Sequence, residues 1–241
     1  MTSEALVMLL AGLAVLVGAI VQGAVGFGLG LVAAPVVTML DPTLMPGAIQ
    51  VVNVTLPLFT LAAEWRRIDW RGLGFAVLGR LPGSAIGALI VVYVSTRTLG
   101  LFVGVMVLIA VTLTARAVAV PRNGWTITGA GFASGITGTA TGIGGPPVAL
   151  VYQNAKGPQI RATLAAFFFL SAAQSLIILW VVDHLPARAL ASGALLIPFL
   201  VAGFLVSGPL RRHLDGSGVR GAVLAVAALS ALALIAQTLI G

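Results

Sequence analysis

The sequence predicts an all-α integral membrane protein of two inverted repeats, each a glycine-broken helical hairpin followed by three transmembrane helices. Three observations support this: the composition, a repeated pattern of glycines and prolines, and the positions of the basic residues. Of the 241 residues, 59% are hydrophobic and 8% are charged, and the mean hydropathy is +1.13. A soluble domain carries about 25% charged residues. A soluble fold could therefore not bury this much apolar surface.

Apolar runs that are long enough to cross a bilayer recur along the chain. A helix of about 20 residues spans roughly 30 Å of hydrocarbon. Runs of about 18 to 23 residues occur at Ala5–Gln22, Leu44–Ala63, Gly72–Val94 and Gly221–Ile240. The first run has Glu4 where a secretory signal has basic residues, so we expect it to be retained rather than cleaved.

The net charge of +7 could indicate a nucleic-acid partner. However, the basic residues are scattered over short loops between the apolar runs and form no continuous basic face. We interpret them as charges that set the membrane topology, and we expect no nucleic-acid partner. The chain has no cysteine, which excludes a disulfide framework and a thiolate metal site. We expect no cofactor or metal.

A shift of 116 residues superimposes residues with special backbone properties, which indicates an internal duplication. The first repeat is predicted at residues 1–119, a cytoplasmic connector at 120–124 and the second repeat at 125–241. The matching positions are Gly26 with Gly142, Gly28 with Gly144, Pro42 with Pro158, Pro82 with Pro198, and Gly87 with Gly203.

Each repeat opens with a long apolar stretch that glycines interrupt, at Gly23–Gly30 and at Gly138–Pro147. If both stretches crossed the membrane without turning, the loop charges would divide six against six. If both turn back as hairpins, ten basic residues share one side and only Arg97 and Arg188 face the other, as the positive-inside rule requires. We therefore predict hairpins, inverted repeats and two extracytoplasmic termini. The ten are Arg66, Arg67, Arg71, Arg116, Arg122, Lys156, Arg161, Arg211, Arg212 and Arg220.

Backbone that leaves a helix at membrane depth exposes N–H and C=O groups, which only protein or a polar cavity can satisfy. Two such breaks in inverted halves predict an anion site between the halves, with helix N-termini directed at it. An alternative is that the threonines bond within their helices and the glycines allow close helix packing. The candidate substrate-binding residues at the breaks are Gln22, Gly23, Gly26, Gly28, Asn53, Thr137, Thr139, Thr141, Gly142, Gly144, Gly145 and Pro146.

Arg80 is the one charged residue that does not fall near a predicted loop. A charge inside the membrane is costly and by default marks a functional site, here as a counter-charge for an anion. The alternative is that Arg80 extends toward the headgroups, since it lies only about 13 Å into its span. Both interpretations are carried forward.

Other classes of function fit the sequence less well. A membrane metalloprotease needs two histidines on one helix face, whereas His184 and His213 fall in loops. Ser134 has no His or Lys in its helix to activate it. We therefore expect no enzymatic activity. A scaffold subunit would not need two breaks, and an anion channel would differ from a carrier by flux that does not saturate. All six acidic residues lie near loops, so we expect no buried carboxylate proton relay.

The paired motifs Gly23-Ala-Val-Gly-Phe-Gly-Leu-Gly and Gly138-Thr-Ala-Thr-Gly-Ile-Gly-Gly-Pro-Pro resemble the sulfite exporter TauE/SafE family. The resemblance covers nearly the whole chain. The second motif is the more specific, because the first has Leu29 and Gly30 where the second has Gly145 and Pro146. The resemblance implies a multi-pass transporter of the bacterial inner membrane that exports small sulfur anions such as sulfite, sulfoacetate or other sulfonates. It leaves open which anion is carried and which ion is coupled to it. It also leaves open whether the protein imports another small anion and whether it forms a homo-oligomer.

Overall fold

The computed structural model describes residues 3–116, 120–211 and 217–240. Within these ranges the chain forms eleven α-helices and two short 3-10 helices and contains no strand. By length and composition, six helices of the described residues could cross a membrane, and two shorter apolar helices accompany them. The predicted all-α fold with several membrane-spanning helices is confirmed.

The helices follow the order of the predicted elements. Those of the first half are α1 Ser3–Val25, α2 Leu29–Leu40, α3 Gly47–Glu64, α4 Trp70–Tyr93 and α5 Thr96–Arg116, with 3-10 turns at Pro42–Leu44 and Trp65–Arg67. Those of the second half are α6 Gly124–Thr141, α7 Gly145–Tyr152, α8 Gly157–Val181, α9 Ala187–Leu195, α10 Ile197–Arg211 and α11 Ser217–Ile240.

One span of the second half is divided, contrary to the expectation of three uninterrupted helices. α9 ends at Leu195 and α10 begins at Ile197, so Pro198 lies in the first turn of a new helix. Proline is tolerated there because the first turn needs no intrahelical N–H donor. The corresponding helix α4 instead continues through Pro82. The two halves therefore differ at this position although their prolines align.

The chain turns back at both predicted breaks. After the first break, Leu29 lies beside Gly18: a Cβ on Gly18 would be 3.0 Å from the Leu29 Cα. After the second break, a Cβ on Gly138 would be 3.1 Å from the Gly144 Cα. In each case a residue that follows the break lies against the helix that precedes the break. Each broken stretch therefore forms a helical hairpin.

The hairpins pack against the opposite half of the chain through glycine faces. α1 lies parallel to α10, since Gly12 contacts Phe199 and Gly203, further along α10, contacts Ala19. In the same way α4 lies parallel to α6, because Gly79 contacts Thr128 and Gly87, further along α4, contacts Ile136, further along α6. Glycine permits this close backbone approach between helices in a membrane.

Ion pairs and hydrogen bonds distinguish the two ends of the helix bundle. At one end, called the basic end here, Arg161 pairs with Glu64 at 2.7 Å, and the Arg122 guanidinium lies 5.7 Å from the centre of the Tyr152 ring. At the opposite end, Arg188 pairs with Asp41 at 3.2 Å.

Arg188 also contacts Glu4 at 3.5 Å, and Arg97 donates to the Thr238 carbonyl at 2.8 Å. The N-terminal helix, the Asp41 turn and the end of α11 therefore share the end that carries the two isolated arginines. Arg212, one of the ten residues predicted to face the other way, lies outside the described residues, as do His213 and Asp215.

Candidate functional site

The tips of the two hairpins meet in the interior of the bundle. A Cβ on Gly30, at the start of α2, would lie 2.9 Å from the Gly142 carbonyl oxygen and 3.5 Å from the Ile143 Cα. Phe27 of the first break lies against Gly145 of the second, 3.6 Å from a Cβ placed there. Two segments more than a hundred residues apart in sequence thus form one site.

The first break needs glycine because its backbone turns through conformations that other residues avoid. Gly26 has φ +99° and Gly28 has φ +131°, where a Cβ would be strained. The Gln22 side-chain oxygen accepts the Leu29 N–H at 3.1 Å and so satisfies one of the free donors at the start of α2. Gln22 therefore holds the break as well as lying near the site.

Side chains of α3 and α6 stabilise the second break. Gly142 has φ +75° and ends α6 in the left-handed conformation. Gln50 donates to the Gly138 carbonyl at 2.6 Å, and Asn53 donates to the Gly142 carbonyl at 2.9 Å. Ser134 donates to the Gly144 carbonyl. These bonds satisfy backbone groups that lipid could not pair.

A small cavity of about 40 Å³ lies where the breaks meet. This is room for a few water molecules, so the cavity is small. It lies between both breaks and helices α3, α4 and α8. The lining residues are Gln22, Gly28, Gly30, Leu31, Gln50, Asn53, Arg80, Gly138, Gly142, Ile143, Gly144, Gly145, Pro146, Phe168, Ser171 and Ala172.

Arg80 is buried in the protein, with 1% of its surface exposed, and lines this cavity. It does not extend to the headgroups. Its Nη1 donates to the Ser134 carbonyl at 2.8 Å, and its Nη2 donates to the Ser171 carbonyl at 3.0 Å and to the Ser175 hydroxyl at 2.7 Å. All these acceptors are neutral. The Arg80 charge is therefore hydrogen-bonded without being neutralised.

Two buried polar atoms at the cavity have no hydrogen-bond partner within the described protein: Arg80 Nε and Ser171 Oγ. A buried donor without an acceptor is unfavourable. Ion pairs of the described residues lie at the two ends of the bundle and do not involve Arg80. The lining residue Arg80 is therefore a cation with one unused N–H donor.

Two helices begin at the cavity. Gly30 and Leu31 of α2 and Gly145 and Pro146 of α7 all line it. The N-terminus of a helix carries partial positive charge and free N–H groups. Pro146 and Pro147 have no N–H, which leaves α7 with fewer donors than α2. The electrostatic character of the cavity is thus positive from Arg80 and from both helix ends.

The structure brings together eight of the thirteen residues that the sequence analysis singled out. Those lining the cavity are Gln22, Gly28, Asn53, Arg80, Gly142, Gly144, Gly145 and Pro146. The other five do not line it. Gly23 packs against Ser207 and Phe204, and Gly26 packs against Arg161.

The three threonines of α6 are engaged within the protein. Thr137 donates to the Ala133 carbonyl at 3.1 Å, and Thr141 donates to the Thr137 carbonyl at 2.7 Å. Thr139 shares a hydrogen bond of 2.9 Å with Ser175. These contacts match the alternative considered for threonine, bonding within its helix or to a neighbour.

Some lining residues were missed by the sequence analysis. Gln50 could have been found, because it lies one helical turn before Asn53 and both are amides in an apolar span. Gly30 and Gly138 bound the predicted breaks but were not chosen. Ser171 gives no local signal, since it is an isolated hydroxyl in α8 and only packing brings it to the cavity.

The fold and site define a class of protein: a multi-pass helical membrane protein with two hairpins meeting at a buried, positively charged cavity. The chain belongs to the sulfite exporter TauE/SafE family, whose model matches residues 10–234.

A curated relative is similar along most of its length. The chain is 27% identical over 220 residues to the probable sulfite/organosulfonate exporter TauE of Cupriavidus necator, covering 86% of this chain and 85% of that protein. No solved structure matches the chain.

Proposed function

We propose that the protein is a secondary transporter that exports small sulfur anions, namely sulfite, sulfoacetate or other sulfonates, by alternating access between two inverted repeats. The observation that carries the proposal is the meeting of both hairpin tips at a buried cavity lined by Arg80. Membership of a family described as sulfite exporters supports the substrate class. The name of the relative, sulfite/organosulfonate exporter, supports it further.

The pairing of helices supports inverted repeats. α1 lies along α10 and α6 lies along α4, so the long arm of each hairpin packs on the fourth segment of the other half. α3 and α8, which hold equivalent places in the two halves, pack on each other in the centre. This exchange of partners is what a two-fold relation between halves produces. Rocking of one half against the other would then open the central cavity to either side.

The contents of the cavity support an anion over a cation or a neutral solute. Arg80 and two helix N-termini contribute positive charge, and no Asp or Glu among the residues that the structure describes lines the cavity. The cavity of about 40 Å³ favours sulfite, the smallest of the proposed anions, in the state observed. Larger sulfonates would require the hairpin tips to separate.

Export needs no coupled ion under an inside-negative potential. Moving one negative charge outward gains about 2.3 kcal/mol per 100 mV, which corresponds to roughly a fiftyfold concentration ratio at equilibrium. Of the acids, Asp41, Glu64 and Asp69 lie at the ends of the bundle in ion pairs or hydrogen bonds. We therefore propose a transport mechanism without a proton relay through a mid-membrane carboxylate.

A substrate panel in proteoliposomes tests the function. We expect saturable efflux of sulfite and of at least one of sulfoacetate, taurine and isethionate, with little flux of sulfate, and faster efflux when the lumen is made negative. Liposomes without protein are the control. Flux that rises linearly to high concentration would instead indicate a channel, and no flux of any sulfur anion would reject the proposal.

Labelling of single cysteines tests the proposed topology in this cysteine-free chain. Cysteines at Pro121 and Asn154, both exposed at the basic end, should react only with reagent on the cytoplasmic side. A cysteine at Thr43, at the opposite end, should react only from outside. If Pro121 and Asn154 react from opposite sides, the hairpin topology is wrong.

A further inference from the structure

A second, larger cavity of about 740 Å³ lies at the basic end of the bundle. It opens between the N-terminal ends of α4 and α6, which run parallel and so place both helix starts at this end. Asp69 caps α4 by accepting the Gly72 N–H at 3.0 Å, and Asn123 caps α6 by accepting the Thr126 N–H at 3.0 Å. This cavity shares no lining residue with the central one.

Its walls carry two arginines and one carboxylate. Arg71 and Arg122 are exposed and form no ion pair within the described residues. The Asp69 carboxylate is already engaged, with one oxygen on Gly72 and the other accepting the Tyr152 hydroxyl at 3.0 Å. Arg122 also lies over the Tyr152 ring, at 5.7 Å from its centre, but this contact leaves its charge without a carboxylate partner. Both guanidinium groups can therefore still bind an anionic ligand.

The surroundings of the two arginines match the boundary of a bilayer. Trp125, also in the lining, is 90% exposed, and the ring of Phe75, another lining residue, lies against the neighbouring Gly124. Further along the same two helices, Leu78 is 62% exposed and Phe132 is 37% exposed, so an apolar surface leads from the cavity toward the middle of the spans. Tryptophan at the headgroup level and apolar residues below it are typical of a lipid-facing surface.

We propose that this cavity binds the phosphate of an anionic phospholipid such as phosphatidylglycerol, with the acyl chains lying on the apolar surface of α4 and α6. Basic pockets between transmembrane helices bind anionic headgroups in this way. Arg71 and Arg122 both line the cavity that would hold the phosphate, and Trp125 lines it with them. The site is separate from the proposed transport cavity and does not depend on it.

Lipid binding to the purified full chain tests the proposal. Native mass spectrometry, or the shift in thermal unfolding, would be measured with phosphatidylglycerol and with phosphatidylcholine of the same chains. We expect the wild type to prefer phosphatidylglycerol. The double variant Arg71→Gln, Arg122→Gln should lower phosphatidylglycerol affinity by roughly thirtyfold, given the attraction of two arginines for an anionic headgroup.

The matched control is Arg66→Gln, Arg67→Gln, which removes the same charge at the same end outside this cavity. It should keep the preference. No preference for phosphatidylglycerol in the wild type would overturn the proposal, whatever the variants do. An equal loss of phosphatidylglycerol affinity in the control would show that overall charge, and not this cavity, sets the affinity, and would contradict the proposal. Inorganic phosphate that binds the wild type as tightly as phosphatidylglycerol would identify a site for free anions instead.

Discussion

Replacing Gly144 with leucine is expected to abolish anion transport while the protein still inserts into the membrane. A Cβ at this position would lie 2.7 Å from the Ser134 hydroxyl and 3.2 Å from the Gly138 Cα, so even the first carbon of a side chain has no room. The rest of the leucine would enter a cavity of about 40 Å³. Efflux from proteoliposomes, normalised to inserted protein, measures the effect.

Gly129→Leu is the matched control for this experiment. Gly129 lies in the same helix as Ser134, and a Cβ added there meets no atom within 4 Å. This variant should transport normally. Wild-type flux in a stably expressed Gly144→Leu protein would contradict a role of the second break in the transport path. Failure of that variant to accumulate would indicate that Gly144 is needed for packing.

Replacing Arg80 with glutamine should weaken binding of the best anion by about 1 to 3 kcal/mol, or roughly 5- to 150-fold, the contribution of one charge-assisted hydrogen bond. The structure places the guanidinium at the cavity with neutral acceptors and a free Nε donor. Arg80→Lys should keep part of the affinity, since it keeps the charge but not the planar fork. Binding affinity of purified protein is the measurement.

The control for Arg80 is Arg97→Gln, which removes an arginine that bonds carbonyls at the opposite end of the bundle. Its anion affinity should equal that of the wild type. Thermal unfolding of each variant separates loss of binding from loss of fold, because Arg80 also links α4 to α6 and α8. An Arg80→Gln protein with unchanged affinity would show that the arginine only joins helices. The anion would then be held by backbone N–H groups and neutral side chains of the cavity.

The hydrogen bonds at the breaks suggest why the hairpin tips can serve as a stable site. Gln22 satisfies the start of α2, while Gln50 and Asn53 satisfy carbonyls of the second break. Non-helical backbone in a membrane protein persists only when such partners are present. The amides that line the cavity therefore position the backbone that we propose binds the anion. Direct contact with the anion by these amides would use their remaining hydrogen-bonding capacity.

Sequence alone located both helix breaks to within a few residues. The breaks could be predicted because they need glycines, which adopt the positive φ found at Gly26, Gly28 and Gly142. This preference is a property of the individual residue. Composition and hydropathy likewise identified the membrane-spanning helices, because bilayer thickness sets the length of an apolar helix. Both are signals that a short window of sequence contains.

Which polar residues reach the cavity was decided by the tertiary structure. Thr137 and Thr141 are close to the break in sequence but bond to their own helix. Ser171 is distant in sequence yet lines the site beside Arg80. Whether Arg80 points to the headgroups or inward also depended on packing, since α6 and α8 supply its acceptors.

The sequence by itself therefore determined the membrane class, from its composition, and the two hairpins, from the glycines at the breaks and the distribution of basic residues. The two glycine motifs indicated the family by their resemblance to it. The tertiary structure decided that the hairpin tips meet, that Arg80 is buried with no carboxylate of the described residues paired to it, and that Pro198 lies in the first turn of a new helix. Each of these depends on contacts between segments far apart in the chain. Their geometry is fixed by helix packing, which no local pattern of residues encodes.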